Sequence, residues 1–185
     1  MIKFLLMMSR HGKLRLAKWF DSYTERERQK ILRDVATLVL AREPSWSNRV
    51  DYPGLPEGIG NGSGSGRLAN TPSVVSLGAA PRARLVYKRY ASLFIIACLD
   101  GACADAGMNE LLAMDTIHQY VETLDRYFGN VCELDLIFNF PNAYYILDDM
   151  LTAGEFAESS REVVLRSVEA SDRMAGQERD DKPRA

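Results

Sequence analysis

The sequence predicts an α+β domain, one antiparallel sheet layered against helices. Two groups of strand-like patterns flank a single helical pattern, and only helical patterns follow, which gives the order ββα, then βββ, then helices. Apolar residues make up 46% of a 185-residue chain, enough to bury the core of one domain.

Each element has its own signal. Residues 2–9, IKFLLMMS, form a near-continuous apolar run, His11-Gly12-Lys13 supplies a turn, and LRLAKWF then alternates. Leu14 and Leu16 fall on one face and Arg15, Ala17 and Trp19 on the other, as expected of a hairpin with one deeply buried strand. The apolar run ends after about seven residues, short of the roughly 20 that span a bilayer, and lacks a small-residue cleavage site. It reads as a strand rather than a signal.

Thr24 with Glu27 makes a capping box ahead of Ile31, Leu32, Val35, Leu38 and Val39 at helical spacing, in a helix expected to stop before Pro44. Residues 53–82 hold seven of the 13 glycines and four of the seven prolines with only three charged side chains. Such a segment buries too little apolar area to offset its ordering entropy and is expected to be a disordered insertion. A docking loop regulated through its serines is the alternative reading.

Strand character resumes at Arg84 in RLVYKRYASLFIIACL, which breaks around Ala91-Ser92 into a second hairpin. Met114, Ile117, Val121, Leu124 and Phe128 repeat at three and four residues, with Gly129 as C-cap. A short helix follows until Pro141 interrupts it, and a new helix starts near Asn139 to Pro141 and runs to Gly154. Ser159 with Glu162 caps a last helix over roughly 160–174. Residues 176–185 read as a disordered tail, leaving 1–175 as the domain.

Composition excludes several functions. A net charge of -2 and a pI near 5.8 give no general attraction to nucleic acid or anionic lipid. Cys98, Cys103 and Cys132 are odd in number, form no CxxC and keep no ligand register with His11 or His118, which suits a reduced, cytosolic protein without a metal or other cofactor. GNGSGSG lacks the lysine-serine ending of a phosphate loop. A cysteine hydrolase built from Cys132, His118 and Asp135 has no glycine-rich turn to form an oxyanion hole, and Cys132 reads as a small hydrophobe used in packing. Binding needs only shape and a few placed charges, so a binding module is the better reading than an enzyme.

Three long blocks carry a resemblance. MIKFLLMMSRHGKLRLAKWF, LVYKRYASLF and IHQYVETLDRYFGNVCELDLIFNFPNAYYILDDMLTAGE resemble the small sigma subunits of heterotetrameric clathrin adaptor complexes. SRHGKLRLAKW, LVLARE, YKRYASL and YYILDD look most like the sigma subunit of the type 1 complex. The resemblance implies a longin-like fold, a five-stranded antiparallel sheet sandwiched by α-helices. It also implies direct pairing with a gamma-type large subunit, in a complex with a beta-type large and a medium mu subunit. Clathrin and an Arf-type GTPase would be met through the complex, peripherally on trans-Golgi and endosomal membranes, without catalysis.

In that family the small subunit contributes a pocket for acidic dileucine signals, [DE]xxxL[LI], on cargo tails. By position, Arg15 matches the arginine that faces the signal's acid, and Ala91, Leu93, Val121, Asn130, Val131 and Leu136 match the leucine pocket. Glu133 and Asp135 are then polar-face or partner-facing residues. The insertion falls where relatives join the third and fourth strands by a few residues, and is expected to replace part of that hairpin. A purely structural small subunit, of an adaptor or a coatomer-like coat, is the alternative.

Overall fold

The computed structural model describes residues 1–43, 46–55, 83–100 and 110–180, with side chains as far as residue 174. The elements are β1 (Ile2–Ser9), β2 (Leu14–Trp19), α1 (Glu25–Leu40), β3 (Arg49–Asp51), β4 (Ala83–Tyr90) and β5 (Leu93–Asp100), followed by α2 (Glu110–Phe128), α3 (Glu133–Phe138), α4 (Phe140–Met150), β6 (Leu151–Thr152), β7 (Glu155–Phe156) and α5 (Arg161–Asp180). The five main strands lie in the order β2-β1-β5-β4-β3, and every neighbouring pair is antiparallel.

β1 and β5 are hydrogen-bonded on both edges and covered on both faces, which is why both read as continuous apolar runs. On one face, Phe4, Leu6, Met8, Leu85, Ile96 and Cys98 pack against Ile31, Val35 and Val39 of α1. On the other, Leu5, Met7, Leu16, Val86, Ile95 and Ala97 meet α2, α4 and α5 through Ile117, Tyr120, Leu124, Ile146, Leu147 and Val164. Ile2 joins this second face although strict alternation would place it with Phe4. A bulge at Lys3 in the β1–β5 pairing, where Ile2 opposes Leu99 and Phe4 opposes Cys98, shifts it across.

The α1 capping box forms as the sequence predicts. The Thr24 amide donates to Glu27 Oε2 at 2.7 Å, and the Glu27 amide donates to Thr24 Oγ1 at 3.4 Å. The hydroxyl and amide of Thr24 hold the Glu27 carboxyl below its ordinary range.

Three expectations are corrected, at the third strand, the end of α4 and the span of α5. The third strand is not lost beside the insertion: Arg49, Val50 and Asp51 pair with Val86, Leu85 and Arg84, and the Tyr52 amide donates to the Ala83 carbonyl at 2.9 Å. Of the 53–82 segment expected to be a disordered insertion, residues 53–55 are described, with Leu55 buried after a turn at Pro53-Gly54, and residues 56–82 lie outside the described residues. α4 ends at Met150, not Gly154, because the chain turns back as a β6–β7 hairpin. Gly154 sits at φ +79, its carbonyl accepts from the Ile2 amide at 2.8 Å, and a Cβ there would lie 2.1 Å from the Ile2 carbonyl oxygen. α5 starts at Arg161, with the Ser160 carbonyl accepting from Val163 and Val164, and continues through Gly176 to Asp180. Of the expected 176–185 tail, residues 181–185 lie outside the described residues.

Candidate functional site

Two short turns bring separate segments to one end of the sheet. Between β4 and β5, Ala91 takes φ 48, and the Ser92 carbonyl accepts from the Arg10 amide at 2.9 Å, fastening this turn to the end of β1. After α2, Gly129 and Asn130 both take positive φ. The Asp125 carbonyl accepts from both of their amides, and its carboxylate accepts from the Val131 amide at 2.9 Å. α3 then begins at Glu133, with the Cys132 amide donating to Asp135 Oδ2 at 2.8 Å. That bond holds the Asp135 carboxyl below its ordinary range.

Between these turns, α2 and α3 lies a cavity of about 420 Å³, within the range of roughly 300–1,000 Å³ usual for ligand sites. Ala91, Leu93, Val121, Val131 and Leu136 all line it. Asn130 does not; its left-handed backbone instead turns the chain from α2 into the pocket wall. The structure therefore gathers five of the seven expected site residues around one opening.

Arg15 stands at its edge because of a second bulge. In the β1–β2 pairing Met7 opposes Leu16 and Met8 opposes Leu14, so Arg15 is the extra residue on β2. A bulge re-aims the side chain it carries. The expected alternation fails here: Arg15 reaches α3, where its Nε and Nη2 donate to Glu133 Oε1 at 2.8 and 2.6 Å. β2 is an outer strand of the sheet, and Tyr144 of α4 steadies it by accepting from the Ala17 amide and donating to the Ala17 carbonyl, both at 3.1 Å.

Several wall residues were missed from the sequence. Glu133, expected on a polar or partner-facing surface, lines the pocket and holds Arg15. His118 lines it too, stacked on Tyr90 with rings 4° from parallel; the Tyr90 hydroxyl lies 3.0 Å from His118 Nδ1, and Nε2 faces Glu122 at 3.4 Å. Glu122 also pairs with Arg161 at 2.5 Å. Cys132, expected in packing, is exposed at the pocket rim because it occupies the N-cap of α3 rather than the core. The helical spacing of Val121 and Leu124 hinted at an α2 wall; nothing local linked it to residues near 15 or 133.

The hydrolase arrangement is not assembled. Asp135 is engaged by the Cys132 amide and His118 by Tyr90 and Glu122, so no carboxylate-imidazole-thiol relay runs through these residues. Among the described residues, no group of three or more His, Cys, Asp or Glu could hold a metal ion, and no helix is long and apolar enough to cross a membrane. The buried Cys98 thiol is pushed well up by desolvation and is no nucleophile.

A five-stranded antiparallel sheet with helices on both faces defines a longin-like domain, and it carries an apolar pocket at one end. The clathrin adaptor complex small chain family matches residues 1–175, and the chain belongs to that family. It is 43% identical over 174 residues to AP-1 complex subunit sigma-1 of Arabidopsis thaliana, covering 94% of this chain and 88% of that one. It is 44% identical to AP-1 complex subunit sigma-1 of Schizosaccharomyces pombe, covering 92% and 85%, and 38% identical to AP-1 complex subunit sigma-1A of Homo sapiens, covering 100% and 95%. The fold also matches a chain in a homology model of the full-length AP-3 complex in a stretched open conformation. That match has a TM-score of 0.64 at 24% identity and covers 99% of this chain and all of that one.

Proposed function

We propose that this chain is the small subunit of an AP-1-type clathrin adaptor and that its pocket contributes the recognition of acidic dileucine signals on cargo tails. It acts paired with a gamma-type large subunit, in a complex with beta-type and mu subunits. The complex works at the cytoplasmic face of trans-Golgi and endosomal membranes, in coat assembly and cargo sorting. The observation that carries this reading is the convergence of Ala91, Leu93, Val121, Val131 and Leu136 on one cavity with the Arg15 guanidinium at its edge.

The chemistry divides between these parts. Burying two leucine side chains contributes about 1.5–3 kcal/mol each, and a partly exposed ion pair at Arg15 about 0.2–1 kcal/mol. The apolar wall sets affinity; the charge sets direction along the peptide. Immobilising an extended peptide offsets part of this, leaving weak binding with a Kd near the millimolar end, about 4 kcal/mol. Membrane-bound cargo and a multivalent coat supply the avidity.

Pairing with a large subunit is supported by a run of exposed apolar side chains, Leu134, Ile137, Phe138 and Phe140, across α3 and the start of α4. A surface of this kind suits a permanent partner better than solvent. Co-expression with a gamma-type subunit, followed by titration of the purified pair with a [DE]xxxL[LI] peptide and its double-alanine counterpart, tests the reading. Binding of the leucine form alone supports it; equal binding of both removes the pocket from recognition.

A further inference from the structure

We propose that Glu133 is a built-in stand-in for the acidic residue of the ligand, so that a signal binds by exchanging its own carboxylate for that of Glu133 on Arg15. The proposal rests on the reading that the pocket takes acidic dileucine peptides.

The geometry is that of an occupied seat. A single oxygen of Glu133 receives two guanidinium donors, Nε at 2.8 Å and Nη2 at 2.6 Å, at the charge-assisted end of the distance range. The side chains are 21% and 26% exposed, so the pair is sheltered yet within reach of an incoming group. Residues 15 and 133 are 118 positions apart, so the pair exists only because the bulge on β2 and the turn after α2 aim both side chains at the same edge of the pocket. Glu133 is also the first residue of α3 and lines the cavity itself. The only carboxylate bonded to Arg15 among the described residues thus belongs to the pocket wall.

Exchange makes the contribution of the ligand's acid a difference between two similar ion pairs. Removing the charge of Glu133 removes the competitor. Glu133→Gln preserves the side-chain shape and one acceptor oxygen while ending the competition. In the full chain paired with its large subunit, E133Q is expected to tighten an acidic dileucine peptide about threefold, the scale of one partly exposed ion pair. The same peptide with its acid changed to glutamine is expected to bind both proteins alike, so the acidic-over-neutral preference rises about threefold. In an Arg15→Gln background, E133Q is expected to change nothing.

An unchanged or reduced preference in E133Q, with binding retained, overturns the exchange and leaves Glu133 as a residue that merely holds Arg15 in place. Absence of binding by every peptide to wild type and variant alike overturns the pocket reading, and the exchange with it. Recovery of the assembled pair and its melting temperature show that the variant is folded, since the ion pair also ties α3 to β2.

Discussion

Val121→Asp is the perturbation that separates the pocket from the rest of the fold. Val121 lies on the pocket side of α2 and is only partly buried, so its replacement costs the core less than a change at Ile117 or Leu124, which are fully buried beside it. In the pocket the effect is far larger. The aspartate removes apolar contact to an incoming leucine, adds a fourth carboxylate to a wall that already carries Glu122, Asp125 and Glu133, and must be desolvated when the ligand seats. Loss of roughly half a leucine's burial and the cost of covering an unpaired polar group together exceed about 3 kcal/mol, more than a hundredfold in Kd. Calorimetric or fluorescence-anisotropy titration of the V121D pair with an acidic dileucine peptide is expected to show no binding at concentrations that saturate the wild type, while gel filtration still shows an intact pair. A Kd within twofold of wild type would remove α2 from the binding wall and refute the assignment.

Other expectations are independent of the pocket. Phe138→Ser with Phe140→Ser, at side chains 75% and 54% exposed, is expected to leave the melting temperature of the chain nearly unchanged yet lower its co-purification with a gamma-type subunit at least tenfold; undiminished recovery would place the partner elsewhere. Gly154→Ala is expected to lower stability by about 3 kcal/mol or more, because it combines positive φ with a collision against the Ile2 carbonyl, whereas Gly129→Ala, which meets nothing within 4 Å, costs about 1 kcal/mol. Denaturant midpoints of equal size for the two variants would show that the β6–β7 hairpin does not brace β1. Burial pushes the Tyr23, Tyr52 and Tyr120 hydroxyls well up, and Tyr127, whose hydroxyl donates to Asp172, up to about 12. Folded values above the ordinary 10 favour the neutral native state: their contribution is complete below pH 10 and is lost as pH rises through the folded values. Thermal melts are therefore expected to fall steeply above pH 10, and a flat profile to pH 12 would contradict the burial of these rings.

What the sequence disclosed and what it hid follow from the range of the interactions. The runs in β1 and β5, the Thr24–Glu27 box and the period of α2 ending at Gly129 are local, and each appears where its pattern places it. β3 is three residues long, too short to show a period of two, and is recognisable only from its pairing with Arg84, Leu85 and Val86. The hairpin after α4 depends on a bond between Gly154 and Ile2, at opposite ends of the domain. Alternation failed at Arg15 because a bulge belongs to a pair of strands, not to either sequence alone. For the same reason Glu133 read as a polar-face or partner-facing residue and His118 offered no sign of a pocket role: their partners, Arg15 and Tyr90, lie 118 and 28 positions away.

Methyl labelling of the chain within its assembled pair, followed by titration with an acidic dileucine peptide, reports most directly on the socket. The account predicts saturable shifts at Leu93, Val121, Val131 and Leu136, with Ile31, Val35 and Val39 under α1 unmoved. Shifts that spare the methyl groups of those four residues, or that spread equally to the α1 face, would contradict it.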